Sequence, residues 1–168
     1  MLAINRKGMQ GVYVVEFAII GLLLFTLLFG VLEMGRLYFT VGALNEVVRR
    51  GARLAAVCDI SEPRILRRAI FNAAADSGAS SLVSNLDTAD LSLTYLNANG
   101  AVVANPNDGG AGFSAVRYVQ LSIQNFSFSL LIPGFGGGFT LPAFRAILPR
   151  ESLGRHAEAG VVPEITPC

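Results

Sequence analysis

The dominant pattern in the sequence is a long apolar run near its start. Residues 12–32 are 21 positions, and Glu16 is the only charged one among them. At about 1.5 Å per residue, a helix of this length covers about 30 Å, which is the thickness of the hydrocarbon core of a bilayer. The pattern therefore predicts one membrane-spanning helix. A carboxylate at the centre of a bilayer costs about 3 kcal/mol, so Glu16 requires either a partner or access to the membrane interface.

The apolar pattern changes after residue 32 but keeps a helical period. Apolar positions recur every three or four residues, and charged residues occupy the rest of the cylinder, which is typical of a helix with one face against a protein core. We therefore expect one helix over residues 12–58, with its first half in lipid and its second half in a soluble domain. The apolar positions of the second half are Leu37, Val41, Leu44, Val48, Ala52 and Ala55.

The remaining pattern predicts a second helix and a small antiparallel sheet. Ser61 and Pro63 are favourable at a helix start, and Gly78 at a stop, so we expect a helix over 62–76. Alternating apolar residues at 91–95 and 101–103 flank a turn and predict a hairpin.

Two further strands are expected toward the C-terminus. The first covers 116–130 and is interrupted near Gln124 and Asn125, where the apolar parity shifts. The second covers 141–148, after a glycine-rich loop at 131–139. The fold class is thus α+β, with a soluble domain at 59–149 and an irregular tail at 150–168.

The first eleven residues have the character of a leader. Arg6 and Lys7 directly precede the apolar run, as the charged region of an export signal does. No small-x-small cleavage site follows residue 32, so we expect the helix to remain in the mature protein. Arg6 and Lys7 favour a cytoplasmic N-terminus under the positive-inside rule, although Arg36 opposes it.

A resemblance to a known family rests on these residues. Gly11, followed by four residues and then by Glu16 and Phe17, resembles the processing site of type IV prepilins and pseudopilins. Together with the leader, the apolar helix and the sequence EMGR at 33–36, residues 8–56 resemble the TadE-like family, which comprises minor pilins or pseudopilins of the Tad (Flp) pilus. Gly8 is a second glycine, but its distance from Glu16 is longer than the usual spacing.

The resemblance implies a function in pilus assembly and adhesion. A prepilin peptidase would remove residues 1–11 by cutting between Gly11 and Val12. The apolar helix would then assemble with other pilins or pseudopilins and with an inner-membrane platform, through Glu16 and Phe17. The implied partner of the Glu16 carboxylate is the new amine of Val12. The protein would be a single-pass inner-membrane protein in contact with lipid, with its domain outside the cytoplasm. Incorporation into the pilus itself is one option.

The composition argues against several classes of function. A net charge of +1 gives no nucleic-acid footprint. Lys7 is the only lysine and His156 the only histidine, so no His-based triad or multi-histidine metal site can form. The glycine-rich sequence GFGGG at 134–138 lacks the lysine and hydroxyl that a phosphate loop requires. We therefore expect no enzyme, no cofactor and no metal.

Two alternatives remain open at this level. Cys58 and Cys168 either form a disulfide in an oxidising compartment or remain unpaired thiols. The protein could also be a signal-anchored membrane protein whose external domain binds a ligand or partner and which never joins a filament. This alternative predicts that Glu16→Ala leaves function intact.

Overall fold

One long helix organises the whole structure. In the computed structural model, which describes residues 10–108, 111–131, 137–156, 158, 160–162, 164–165 and 168, helix α1 spans Gln10–Val57. Its 48 residues correspond to about 70 Å at 1.5 Å per residue. The other elements are α2 (Arg64–Ala69), a 3-10 turn (Thr88–Asp90), β1 (Leu91–Leu96), α3 (Ala111–Ala115), β2 (Tyr118–Ile123), β3 (Ser127–Ser129), β4 (Gly138–Thr140) and β5 (Phe144–Pro149).

The second half of α1 forms the centre of the core. Its buried residues recur at intervals of three and four, which places them on the face that packs against α2 and the sheet. The prediction of one continuous helix whose later half is amphipathic is confirmed, and so is the α+β class. The buried residues of this face are Ala43, Leu44, Val47, Val48, Ala52, Ala55 and Ala56.

Two antiparallel sheets complete the domain. The larger has the strand order β1-β2-β5, and Leu121 of the central strand is paired with Leu93 on one side and Ala146 on the other. Leu121 is fully buried beneath α1, because β2 and β5 both pack against this helix. The smaller sheet is the hairpin β3–β4, in which Phe128 is paired with Phe139.

The second helix is shorter than the sequence predicts. It is expected over 62–76 but ends at Ala69, because Phe71 adopts a left-handed φ of 67°. Asn72 then stabilises a loop: its side-chain amide donates to the carbonyl oxygens of Gly78 and Ala79, and its Oδ1 accepts from the Ser81 N–H. A side chain that bonds to the backbone in this way competes with the helix for the same groups.

Strand pairing also differs from the predicted hairpin. β1 is paired along its whole length with β2, whereas residues 101–103 fold back on the end of β1 through a bridge between Leu96 and Val102 and two backbone bonds, Val103 N–H to the Tyr95 oxygen at 2.8 Å and Asn97 N–H to the Ala101 oxygen at 2.9 Å. The predicted interruption of the following strand is present: Asn125, with a φ of 57°, separates β2 from β3. The last strand begins three residues later than expected, at Phe144.

The segment after Pro149 is irregular but packed. Leu153 is fully buried, and the N–H groups of Glu151 and Gly154 donate to the carbonyl oxygens of Ala56 and Val57. These carbonyls belong to the last turn of α1 and have no partner within the helix. The segment therefore caps α1, a role that its irregular composition did not predict.

Candidate functional site

The first half of α1 is exposed along its length. Within the described residues, α1 is the one helix long and apolar enough to cross a membrane, and its most apolar window has no buried residue. Large side chains such as Phe17, Leu22 and Leu27 are between 68% and 78% exposed. Apolar surface of this extent is favourable only in lipid or against other apolar helices.

The residues predicted to act in processing and assembly all lie on this exposed half. Gly11 is in the first turn of α1, and nothing lies within 4 Å of the position that a Cβ would occupy there. Val12, Glu16 and Phe17 are exposed, and Glu16 lies one helical turn after Val12. Glu16 has no ion-pair partner among the residues that the structure describes. Gly8 and the basic pair Arg6 and Lys7 fall outside those residues.

Thr26 is a polar residue in the same run whose hydroxyl is bonded. Its Oγ1 donates to the carbonyl oxygen of Leu22, one turn earlier, at 2.8 Å. A hydroxyl bonded to its own helix is satisfied in hydrocarbon without help from a neighbour. This distinguishes Thr26 from Glu16, whose carboxylate still needs a donor or a cation.

A second cluster marks the point where the apolar run ends. Glu33 is only 8% exposed, and its two carboxylate oxygens accept from the Arg36 guanidinium at 2.7 and 2.8 Å. Oε1 of Glu33 also accepts from the backbone N–H of Leu131 at 2.8 Å, across 98 positions of sequence. The Arg36 guanidinium lies 5.1 Å from the centroid of the Phe128 ring, within range of a cation–π contact.

The consequence of this cluster is that the hairpin β3–β4 is fastened to α1. The contacts involve Phe128 and Ser129 of β3 and Leu131 just after it, so Glu33 and Arg36 act together as one attachment. Sequence reasoning noted this pair only as part of a motif. The signal that could have pointed to a structural role was a carboxylate and a guanidinium three residues apart at the end of an apolar helix.

A disulfide lies at the C-terminal end of α1. Cys58 and Cys168 are joined, with their Cα atoms 5.5 Å apart, and Cys58 is 1% exposed. Around it lie Leu153 and Tyr95, both buried in the same apolar cluster. Burial raises the pKa of the Tyr95 hydroxyl, and the Asp59 carboxylate raises this pKa further. That hydroxyl has no hydrogen-bond partner in the described part of the chain.

The arginines of the second half of α1 border a groove. Arg49 and Arg53 line it together with Arg145 of β5, and its volume is about 350 Å³. Both helix arginines are exposed. Arg50, also exposed, lies over the Phe71 ring, with 5.5 Å between the guanidinium carbon and the ring centroid.

Among the described residues, no cluster of three or more His, Cys, Asp or Glu side chains is arranged to hold a metal ion. The predicted glycine-rich loop lies largely in residues 132–136, outside the described residues, and its last glycine begins β4. The distinctive features of the described residues are thus the exposed apolar helix and its two attachments to the domain.

Most of α1 matches a known protein family. The model of the TadE-like protein family matches residues 11–53. This segment is TadE-like. The match begins at Gly11, the predicted processing residue, and covers Glu16, Glu33 and Arg36. No curated protein and no solved structure matches the chain.

The TadE-like segment and the fold agree on a coarse assignment. The matched residues coincide with most of α1, including both its exposed apolar half and much of the half that packs on the sheet. A TadE-like segment joined to a helix that can span a membrane fits a protein associated with a Tad pilus. The resemblance predicted from the N-terminal residues is therefore confirmed.

Proposed function

We propose that this chain is a minor pilin or pseudopilin of a Tad-type pilus, inserted in the bacterial inner membrane by α1. Its N-terminus would lie in the cytoplasm and its sheet domain outside. The observation that carries the proposal is the division of α1: residues 12–32 are exposed and almost entirely apolar, whereas the domain packs on the later half. The TadE-like match over the same helix supports it.

Processing would create a partner for Glu16. Hydrolysis of the peptide bond between Gly11 and Val12 by a prepilin peptidase frees the amine of Val12, which is charged at neutral pH. An isolated carboxylate or ammonium in hydrocarbon is unfavourable, and each is stabilised by the other at close range. The Val12 amine of one subunit therefore pairs with Glu16 of its neighbour and sets the stagger between adjacent helices. Phe17 contributes apolar surface to the same contact.

This function needs no catalysis by the chain itself. Its partners are the peptidase, the other pilins or pseudopilins of the system, the inner-membrane assembly platform and membrane lipid. The protein contributes to pilus biogenesis, and through it to adhesion.

Mapping the mature N-terminus tests the processing step. Mass spectrometry of the protein purified from native membranes should find a mature chain that begins at Val12. A chain that begins at Met1, or that is cut beyond Leu32, would contradict processing after Gly11.

Substitution of Glu16 tests the assembly step. Glu16→Ala should reduce crosslinking to neighbouring subunits and pilus formation, while membrane insertion stays the same or improves because a charge has been removed. Thr26→Ala is the matched control, since the Thr26 hydroxyl is bonded within its own helix. Normal assembly of Glu16→Ala would instead favour a signal-anchored protein that does not join a filament.

A further inference from the structure

The hairpin β3–β4 approaches the membrane-spanning half of α1. The end of β3 and the residues after it follow α1 toward its N-terminus: the Ser129 carbonyl oxygen accepts from Arg36 at 3.5 Å, and two residues later the Leu131 N–H donates to Glu33. The chain from Ser129 to Leu131 thus comes closer to the apolar run, which ends at residue 32. Phe126, just before β3, and Ser129 at its end line one cavity with Arg36, Phe39 and Thr40 of α1.

The direction of the Glu33 side chain brings Leu131 level with the apolar run. Side chains on an α-helix lean toward its N-terminus and cover the preceding turn. The carboxylate of Glu33 therefore lies over the last turn of residues 12–32. Because Leu131 is hydrogen-bonded to that carboxylate at 2.8 Å, its backbone stands at the same level.

Apolar side chains are exposed at this level. Leu131 is 67% exposed and Met34 is 52% exposed, although both are apolar and neighbouring groups such as Glu33 are buried. Burial of apolar surface is favourable, so these side chains favour an apolar environment. A membrane that covers residues 12–32 ends within one helical turn of these two side chains. They extend the apolar surface that α1 already exposes.

We propose that Leu131 and Met34 form a second membrane contact, in which they enter the headgroup and upper acyl region of the leaflet next to the domain. The inference rests on the proposed membrane insertion of α1. Glu33 and Arg36 position this contact by holding the hairpin against the helix. With two contacts to the leaflet instead of one, the tilt of the domain relative to the membrane is restricted.

The chain has no tryptophan, which provides a direct test. Three single-tryptophan variants of the full chain are reconstituted in phosphatidylethanolamine and phosphatidylglycerol vesicles that contain brominated lipids. Leu131→Trp probes the proposed contact, and Leu23→Trp probes the middle of the apolar run. Val102→Trp is the water-exposed control: Val102 is 64% exposed, and its neighbour Val103 packs on the cluster around Cys58, at the opposite end of the domain.

The proposal expects a depth order. Lipids brominated near the headgroup should quench Leu131→Trp more than lipids brominated at the chain end, Leu23→Trp should show the reverse preference, and Val102→Trp should not be quenched. Addition of Glu33→Ala to Leu131→Trp should weaken its quenching, since the hairpin is released.

The outcomes separate the two proposals. Quenching of Leu23→Trp without quenching of Leu131→Trp overturns the second contact and leaves the membrane helix intact. The absence of quenching in both overturns the membrane insertion itself. Equal quenching of Leu131→Trp and Val102→Trp also overturns the inference, because it shows that the domain contacts lipid without using this surface.

Discussion

Gly51 of α1 faces Ala69 of α2 so closely that a Cβ added at Gly51 would lie 2.8 Å from the Cβ of Ala69. The same added atom would overlap the side chain of Leu121, which is fully buried in β2. This single position lets the helix approach both α2 and the sheet. Any side chain there must displace elements that are fixed by the rest of the core.

Gly51→Ala should therefore destabilise the protein. Overpacking of a core costs about 1–3 kcal/mol, whereas the gain in helix propensity from glycine to alanine is at most about 1 kcal/mol. Gly42→Ala is the matched control on the same helix, because nothing lies within 4 Å of its added Cβ, and it should stabilise slightly. Denaturant unfolding of both variants in detergent measures the difference, and equal stabilities would contradict the close packing at Gly51.

The attachment of the hairpin through Glu33 gives a second prediction. Glu33→Ala removes the acceptor for Leu131 and the partner of Arg36, and the loss of buried hydrogen bonds to a charged group costs about 1–3 kcal/mol. Hydrogen exchange followed by mass spectrometry should show faster exchange in peptides covering β3 and β4.

Glu46→Ala serves as the control for that experiment. Glu46 is an exposed carboxylate on the same helix, and removal of such a side chain usually changes stability by no more than about 0.5 kcal/mol. Exchange in the hairpin should be unchanged in this variant. The role of Glu33 would be refuted if both variants exchanged alike.

The disulfide gives a third prediction. It links positions separated by 110 residues, and a crosslink that closes so long a loop restricts the unfolded chain. Reduction, or the double change Cys58→Ala and Cys168→Ala, should lower the free energy of unfolding by about 2–4 kcal/mol. Non-reducing electrophoresis should show a mobility change on reduction of the native protein and none for the double variant. Two titratable thiols in the unreduced, denatured protein would contradict the bond.

The buried hydroxyl of Tyr95 predicts a loss of stability at alkaline pH. Its pKa in the folded state is raised above the value of about 10 that it has in an unfolded chain, first by burial and then by Asp59. Above pH of about 10 the unfolded state loses this proton while the folded state keeps it, so stability falls by up to about 1.4 kcal/mol per pH unit. Below that pH the group does not make stability depend on pH.

Tyr95→Phe should remove this contribution to the alkaline decline. It should also leave stability at neutral pH equal or higher, because the hydroxyl has no partner among the described residues. Tyr118→Phe, at a tyrosine that is 40% exposed, should leave the decline in place. Unfolding measured from pH 8 to 11 decides this, and identical pH profiles for the native protein and Tyr95→Phe would disprove it.

Local sequence patterns predicted a large part of the fold. The apolar run and the helical spacing that follows it predicted α1 with bounds close to Gln10–Val57, since a period of 3.6 residues is visible without tertiary contacts. The shift of apolar parity near Asn125 predicted the break between β2 and β3, because the alternation of apolar residues along a strand is also visible without tertiary contacts. The TadE-like resemblance also rested on these residues, because it lies almost wholly within α1.

These local patterns did not predict the contacts between residues that are far apart in sequence. The alanines at 73–75 favour a helix locally, but the bonds of the Asn72 side chain to residues 78, 79 and 81 end it earlier. β1 is next to residues 101–103 in sequence, yet β2 offers a full six-residue ladder and a buried central position. Leu153 lies in a segment of irregular composition, and it is buried where this segment bonds to the open carbonyl groups at the end of α1 and packs in the apolar cluster there.

The sequence alone determined the membrane-length helix, the lone carboxylate inside it and the α+β class, because these depend on the order of apolar and charged residues along the chain. The tertiary structure decided which groups meet: Glu33 with Leu131, Cys58 with Cys168 and Gly51 with Ala69. Each of these contacts joins residues that are far apart in sequence or on separate elements. Their formation depends on how the whole core packs, and no local pattern records that.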